Sequence, residues 1–242
     1  MLGALHDDRH RPLDNAAWAA LTGPHAHLAQ RAGEAARYPA DVAPFAGLPD
    51  EAGPGAWSDL AELVGAGREA VLFRGRVDPP EGWEVVGRGA GVQLVATGLE
   101  VAHDPAAVRL GVEHAEEMLE LVSRTRPGPF LRRTPVLGSY LGIRDGDGAL
   151  VAMAGERLRL DGWTEISAVC TDEGHRGRGL GTRLVRAVAA GIVERGGTPF
   201  LHAAADNRPA IRLYASMGFT FRREVVFARL RAPGGVRSEH GS

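Results

Sequence analysis

From Leu184 onward the apolar residues Val185, Val188, Ala189, Ile192 and Val193 recur at helical spacing, which predicts an amphipathic helix closed by Gly196-Gly197. Just before it, Glu165-Ile166-Ser167-Ala168-Val169-Cys170 is a run of small, apolar and β-branched residues, the pattern of a mostly buried strand. Further upstream, runs at 137–144 and 150–160 predict two strands joined by Asp145-Gly146-Asp147-Gly148, a hairpin signal, and Asp161-Gly162 turns the chain into the buried strand. A helix over 113–123 places Ala115, Met118, Leu119 and Val122 on one face. Pro127 and Pro129 stop it and impose a constrained loop. Downstream, 198–204 reads as a strand, 207–219 as a helical segment and 220–230 as a strand pair.

The first hundred residues carry weaker signals. A short helix from Asp14 turns Trp18 and Leu21 inward, a Gly-Pro break follows, and 27–36 reads as a second helical piece. A helix over 59–64 and strands at 70–73, 83–86 and 91–96 give this part an α+β character, with Arg88-Gly89-Ala90-Gly91 read as the turn between the last two strands. Periodicity lapses around 98–105, so a boundary is drawn near Asp104. The expected organisation is an α+β region over 1–103, a domain over 104–231 and a disordered tail over 232–242.

Composition narrows the function classes. With 242 residues, 44% of them hydrophobic, the chain can bury a sizeable core. A net charge of −2 gives no electrostatic argument for nucleic acid or an anionic membrane, and every one of the 28 basic residues is arginine. No apolar run reaches the ~18 residues of a membrane span. The single cysteine, Cys170, excludes an internal disulfide and agrees with a reducing compartment, so a cytoplasmic location is expected. His25 and His27 have no Cys or carboxylate cluster beside them, which gives no basis for a metal site.

The chemistry concentrates between strand and helix. Gly177, Gly179 and Gly181 alternate in Arg176-Gly177-Arg178-Gly179-Leu180-Gly181-Thr182, where the backbone can approach a ligand and aim several N–H groups at it. A helix N-terminus at that point favours a phosphate. A P-loop is excluded because the chain has no lysine, and a dinucleotide turn fails because Thr182 stands where its third glycine would be. The Arg-x-x-Gly-x-Gly spacing of Arg176, Gly179 and Gly181 resembles the acyl-coenzyme-A diphosphate loop of the GNAT superfamily of N-acetyltransferases. A second segment is similar to the same family: Asn207, Ala210, Tyr214, Gly218 and Phe219 match Asn-x-x-Ala-x-x-x-Tyr-x-x-x-Gly-Phe in order. Asn207 would cap its helix, and Tyr214, two turns on, would face the same groove.

The resemblance implies an α/β (α+β) fold, a mixed, mainly antiparallel sheet flanked by helices with a smaller, degenerate N-terminal α+β part, closest in layout to the glycine-N-acyltransferase-like branch. It implies acetyl-CoA as cosubstrate, no metal, and transfer of the acetyl group to a primary amine of a small molecule or peptide by direct attack. Residues 176–182 and Asn207 would hold the coenzyme, and Ala168, Val169 and Cys170 would run beside its pantetheine arm. The strand from Thr198 would splay away to leave that gap. Tyr214 would protonate the leaving thiolate, and a backbone N–H at Val169 or Cys170 would meet the oxyanion. Glu165 is the expected base, with Glu156 second; His202, Arg126, Phe130 and Arg132 are candidates for acceptor contact. Cys170 is expected to be a small buried residue and not a covalent carrier. A homodimer is compatible with the resemblance. The competing reading is a coenzyme-A-binding sensor without turnover.

Overall fold

The computed structural model describes residues 8–234. Its helices are α1 (Ala16–Thr22), α2 (Pro54–Val64), α3 (Ala115–Thr125), α4 (Leu180–Glu194) and α5 (Arg208–Ser216). Its strands are β1 (Gln30–Ala32), β2 (Ala35–Arg37), β3 (Ala46–Gly47), β4 (Glu69–Arg74), β5 (Glu84–Ala96), β6 (Val108–Leu110), β7 (Tyr140–Arg144), β8 (Leu150–Leu160), β9 (Trp163–Thr171), β10 (Thr198–Ala204) and β11 (Phe219–Arg231). β1 to β3 form a small sheet; the other eight form one sheet in the order β4-β11-β5-β10-β9-β8-β7-β6. All its pairings are antiparallel except β9 with β10. None of the helices among the described residues is long and apolar enough to cross a membrane.

Helices cover both faces. On one, Leu184, Val185, Val188 and Ile192 of α4 pack on Leu94, Ile166 and Leu201 of β5, β9 and β10. The spacing of those α4 residues puts them on one stripe, so the helix is fixed by burial of that stripe against the sheet. On the other face, Leu21 of α1 together with Tyr38 and Phe45 packs on Leu158, Trp163 and Phe200. β8 is therefore enclosed from both sides and reads as a nearly continuous buried run, with only Arg159 exposed.

The boundary expected near Asp104 falls between strands of a single sheet. β4 and β5, both from the N-terminal side, are built into it: β5 lies between β10 and β11 and bonds to both. Three local expectations are corrected. Residues 84–96 form one long strand, because β11 pairs with β5 from Glu84 to Ala96 and holds Gly87 to Gly91 extended. Residues 27–36 contain a hairpin, not a helix: Gly33 has φ +47°, and the Asp59 carboxylate accepts from the Glu34 N–H at the turn. The strand expected from 137 begins at Tyr140, since 134–137 is a 3₁₀ turn. Of the expected tail, Ala232 donates its N–H to the Arg68 carbonyl and is buried; residues 235–242 lie outside the described part.

The opening that matters lies between β9 and β10. Their parallel pairing stops at Phe200↔Glu165, while β9 continues to Thr171 and β10 to Ala204. Beyond that point each strand keeps its other partner, β9 with β8 and β10 with β5. Two strands held by different neighbours diverge, and a gap opens toward the N-terminus of α4.

Candidate active site

β9 changes conformation where the gap opens. Met153 pairs with Cys170 and Gly155 with Ser167, so two residues, Ala168 and Val169, oppose one on β8. This is a β-bulge, and Ala168 adopts φ +53° within it. A left-handed alanine costs on the order of 1 kcal/mol and persists only where its surroundings enforce it. Past Glu165 β9 has no strand partner on its β10 side, so the 168–170 segment borders the gap.

At the end of β9 the chain enters the glycine bend. Gly177 and Gly179 have φ +76° and +72°, and a Cβ at either would meet nothing within 4 Å. The bend is thus open. Gly179 is the N-cap of α4, and the first helical bond runs from the Arg183 N–H to its carbonyl, so the preceding N–H groups have no partner within the helix. A Cβ on Gly181 would meet the Thr171 and Val169 side chains at 3.8 Å, so the helix starts beside the end of the strand. The side chain of Leu180 is in the core, leaving its backbone as the part that can meet a ligand. Asp172 is drawn away from the bend: it accepts from Gly174 N–H at 3.2 Å and from Arg124 Nε at 2.9 Å.

The gap opens into a cavity of about 780 Å³. Ala168, Val169, Cys170, Arg176, Asn207 and Tyr214 are all in its wall. Gly177, Arg178, Gly179, Leu180, Gly181 and Thr182 are not; they follow Arg176 as the open bend. Asn207 caps α5 with its side-chain oxygen, which accepts from Ala210 N–H at 3.2 Å and leaves the amide NH₂ to donate elsewhere. Tyr214 is the buried residue of α5, set edge-on to Phe219 at 6.0 Å. Burial, with Cys170 beside it, pushes its phenol up to about 12, so it carries its proton at neutral pH. Burial likewise raises the Cys170 thiol, which argues against a thiolate nucleophile.

The expected base is placed differently. Glu165 has no exposure and lies outside the cavity wall, accepting from Arg157 at 2.8 and 2.5 Å and from His202 Nδ1 at 2.7 Å. Burial alone would raise its pKa, but the Arg157 charge and these hydrogen bonds outweigh that and bring it to about 2. A carboxylate so held is too weak a base for an ammonium. Glu156, the second candidate, is equally buried and is taken up by Arg195 at 2.5 Å and Arg159 at 3.3 Å.

His202 does reach the cavity. Its Nε2 lies 3.0 Å from the Gln93 amide nitrogen, whose orientation is fixed because Arg222 donates to Gln93 Oε1 at 2.8 Å. The amide therefore donates to Nε2, and Nδ1–H donates to Glu165, a neutral tautomer locked at both nitrogens. Of the loop candidates, Arg126 lies in the wall. Phe130 is instead in the core against Tyr140 at 5.7 Å, and Arg132 pairs with exposed Glu116. His25 is buried and bonded to the Tyr38 hydroxyl at 2.8 Å, its imidazole pushed down to about 4 by burial.

Sequence reading missed Arg88, Arg157, Arg229, Phe45, Val71 and Phe227, which also line the wall. Arg157 had a signal: a charged residue inside an apolar strand run demands a buried partner. Phe45, Val71 and Phe227 had none, because they arrive through the pairing of distant strands.

The sequence and fold are similar to those of known proteins. A family described as FR47-like protein matches residues 140–228. A crystal structure from Novosphingobium aromaticivorans, assigned to the GNAT family of acetyltransferases, is 40% identical, covers 90% of this chain and 97% of its own, and superposes with a TM-score of 0.83. The chain belongs to the GNAT family. The N-alpha-acetyltransferase RimI of Mycobacterium tuberculosis is 40% identical over 86 residues, 33% of this chain and 51% of that protein, so the match spans about half the length of this curated relative. A GCN5-related N-acetyltransferase from Kribbella flavida, 21% identical with a TM-score of 0.56 over 91% of this chain and 96% of its own, shares the fold.

Proposed function

We propose that this protein is an N-acetyltransferase that moves the acetyl group of acetyl-CoA to a primary amine by direct attack. The supporting observation is that Arg176, the unpaired end of β9, Asn207 and Tyr214 border one cavity, with the open glycine bend following directly on Arg176. The residues present fit the cosubstrate. The bend and α4 N-terminus suit a diphosphate, Arg176 adds a charge beside them, and the Asn207 amide and the free edge of β9 suit the amides of an extended pantetheine arm.

The amine nitrogen attacks the thioester carbonyl carbon, and the oxyanion is met by main-chain N–H at Val169 or Cys170. The C–S bond then breaks, Tyr214 passes its proton to the leaving thiolate, and the proton released by the amine returns to the phenolate through solvent. Glu165 holds Arg157 and His202 in place and does not act as the base; the acceptor enters as the neutral amine or loses its proton to water. The single free Cys170 supports a cytoplasmic setting. The consumption of both carboxylates by guanidinium groups is what favours the second reading, a coenzyme-A sensor without turnover.

Incubating the protein with acetyl-CoA and a panel of amines, while following thiol release, separates the two. Amine-dependent release that falls in Tyr214→Phe supports the transferase. Binding of coenzyme A with no release for any amine supports the sensor.

A further inference from the structure

The wall of the cavity contains five arginines, Arg88, Arg126, Arg157, Arg176 and Arg229, and no aspartate or glutamate. Their counter-charges are unevenly supplied. Arg157 is neutralised by Glu165, and Arg229 shares Glu69, 3.5 Å away, with Arg231. Arg176 adjoins the glycine bend and suits the diphosphate. Arg88 donates to the Val77 carbonyl at 2.8 Å, a bond that leaves its charge uncompensated. Arg126, held left-handed at φ +50° at the end of α3, has no side-chain hydrogen-bond or ion-pair partner among the described residues. Arg88 and Arg126 come from β5 and from the loop after α3, so they flank the cavity from two different elements.

A plain ammonium entering such a site meets like charge and finds no carboxylate to receive it. An amine that also carries an anion meets two guanidiniums that lack a counter-ion among the described residues, and their planar donors suit a carboxylate or phosphate. We infer that the acceptor is a primary amine bearing a carboxylate or phosphate group, held through that anion by Arg126 and Arg88. The inference rests on the transferase reading above. It also accounts for the missing base: nearby positive charge disfavours the ammonium form, so the bound amine loses its proton more readily.

The test compares matched amines as acceptors with acetyl-CoA in the full-length protein: glycine and alanine against glycinamide and alaninamide, phosphoethanolamine against ethanolamine, and putrescine as the cationic arm. The expected result is a kcat/KM at least about tenfold higher for the anionic member of a pair, with the carboxylate and phosphate pairs telling the two anions apart. Arg126→Ala and Arg88→Ala are expected to remove that ratio while the coenzyme A Kd, by calorimetry, changes less than about twofold, and Arg126→Glu is expected to move the preference toward putrescine. Equal or better use of the neutral and cationic amines overturns the inference. So does a loss of coenzyme A affinity in the alanine variants with the anion preference intact, since the arginines would then serve the coenzyme phosphates. Failure to bind coenzyme A at all overturns instead the transferase reading on which the inference stands.

Discussion

Glu165 and Arg157 form a bidentate pair at 2.8 and 2.5 Å, with the carboxylate at zero exposure and the guanidinium 4.9 Å over the ring of Phe45. The two residues are eight apart on strands joined by the Asp161-Gly162 turn, so the hairpin that delivers β9 also delivers the counter-ion of its first buried charge. Arg157 lines the cavity, and Glu165 lies outside its wall. The pair determines how Glu165 behaves, and through His202 it determines one tautomer in the cavity wall.

Removing only the cation leaves a charge stranded. Arg157→Met is expected to destabilise the protein by about 3–5 kcal/mol, the usual cost of breaking a buried pair. Adding Glu165→Gln should recover a large part of that loss, because the neutral amide needs no counter-charge. Urea unfolding of the two singles and the double gives the coupling directly; additive losses would show that the residues act independently.

The same pair has a signature in pH. A carboxylate near 2 in the folded state and near its ordinary 4.5 when unfolded stabilises the fold fully above about 4.5, and that contribution is lost as pH falls toward about 2. Denaturation midpoints measured from pH 6 down to 2 should therefore drop in the native protein. They should drop less steeply in Glu165→Gln over that window.

Tyr214 tests the chemistry separately from the fold. Tyr214→Phe keeps the ring against Phe219 and is expected to bind coenzyme A as before, while kcat falls about 100-fold or more through loss of the proton donor. Since the phenol lies near 12, the native pH–rate profile should show no loss of the acid below about pH 10. A variant with unchanged kcat would assign the proton to water.

Gly179 tests the bend. Its φ of +72° makes any side chain cost about 1 kcal/mol, a loss the fold should survive. A carboxylate there would occupy the open space at the α4 N-terminus, so Gly179→Glu is expected to abolish coenzyme A binding in calorimetry with the circular dichroism spectrum retained. Undiminished affinity would remove the bend from the site.

Much of the site was legible because it is local. Strand, glycine bend and amphipathic helix occupy consecutive residues, and the order of Asn207, Ala210, Tyr214 and Gly218 fixes a cap and a buried face within one helix. Local geometry follows from backbone freedom, spacing and capping, which depend on near neighbours. The pairing of Glu165 with Arg157 was not legible, and it reverses the role that a lone buried carboxylate suggested. Nor was the course of β5: its glycines look like a turn until β11 and β10 hold them extended.

By itself, then, the chain determined an open glycine bend at a helix start and a helix whose buried tyrosine borders the cavity. Only the tertiary structure decided that an N-terminal strand completes the sheet beside β10, that Ala168 is forced into a left-handed bulge, and that the cavity holds arginine charge without a free carboxylate. The physical reason is the same in each case. Strand order and buried charge pairing are set by contacts between residues far apart in the chain, and the free energy of those contacts exceeds the local preferences that a sequence displays.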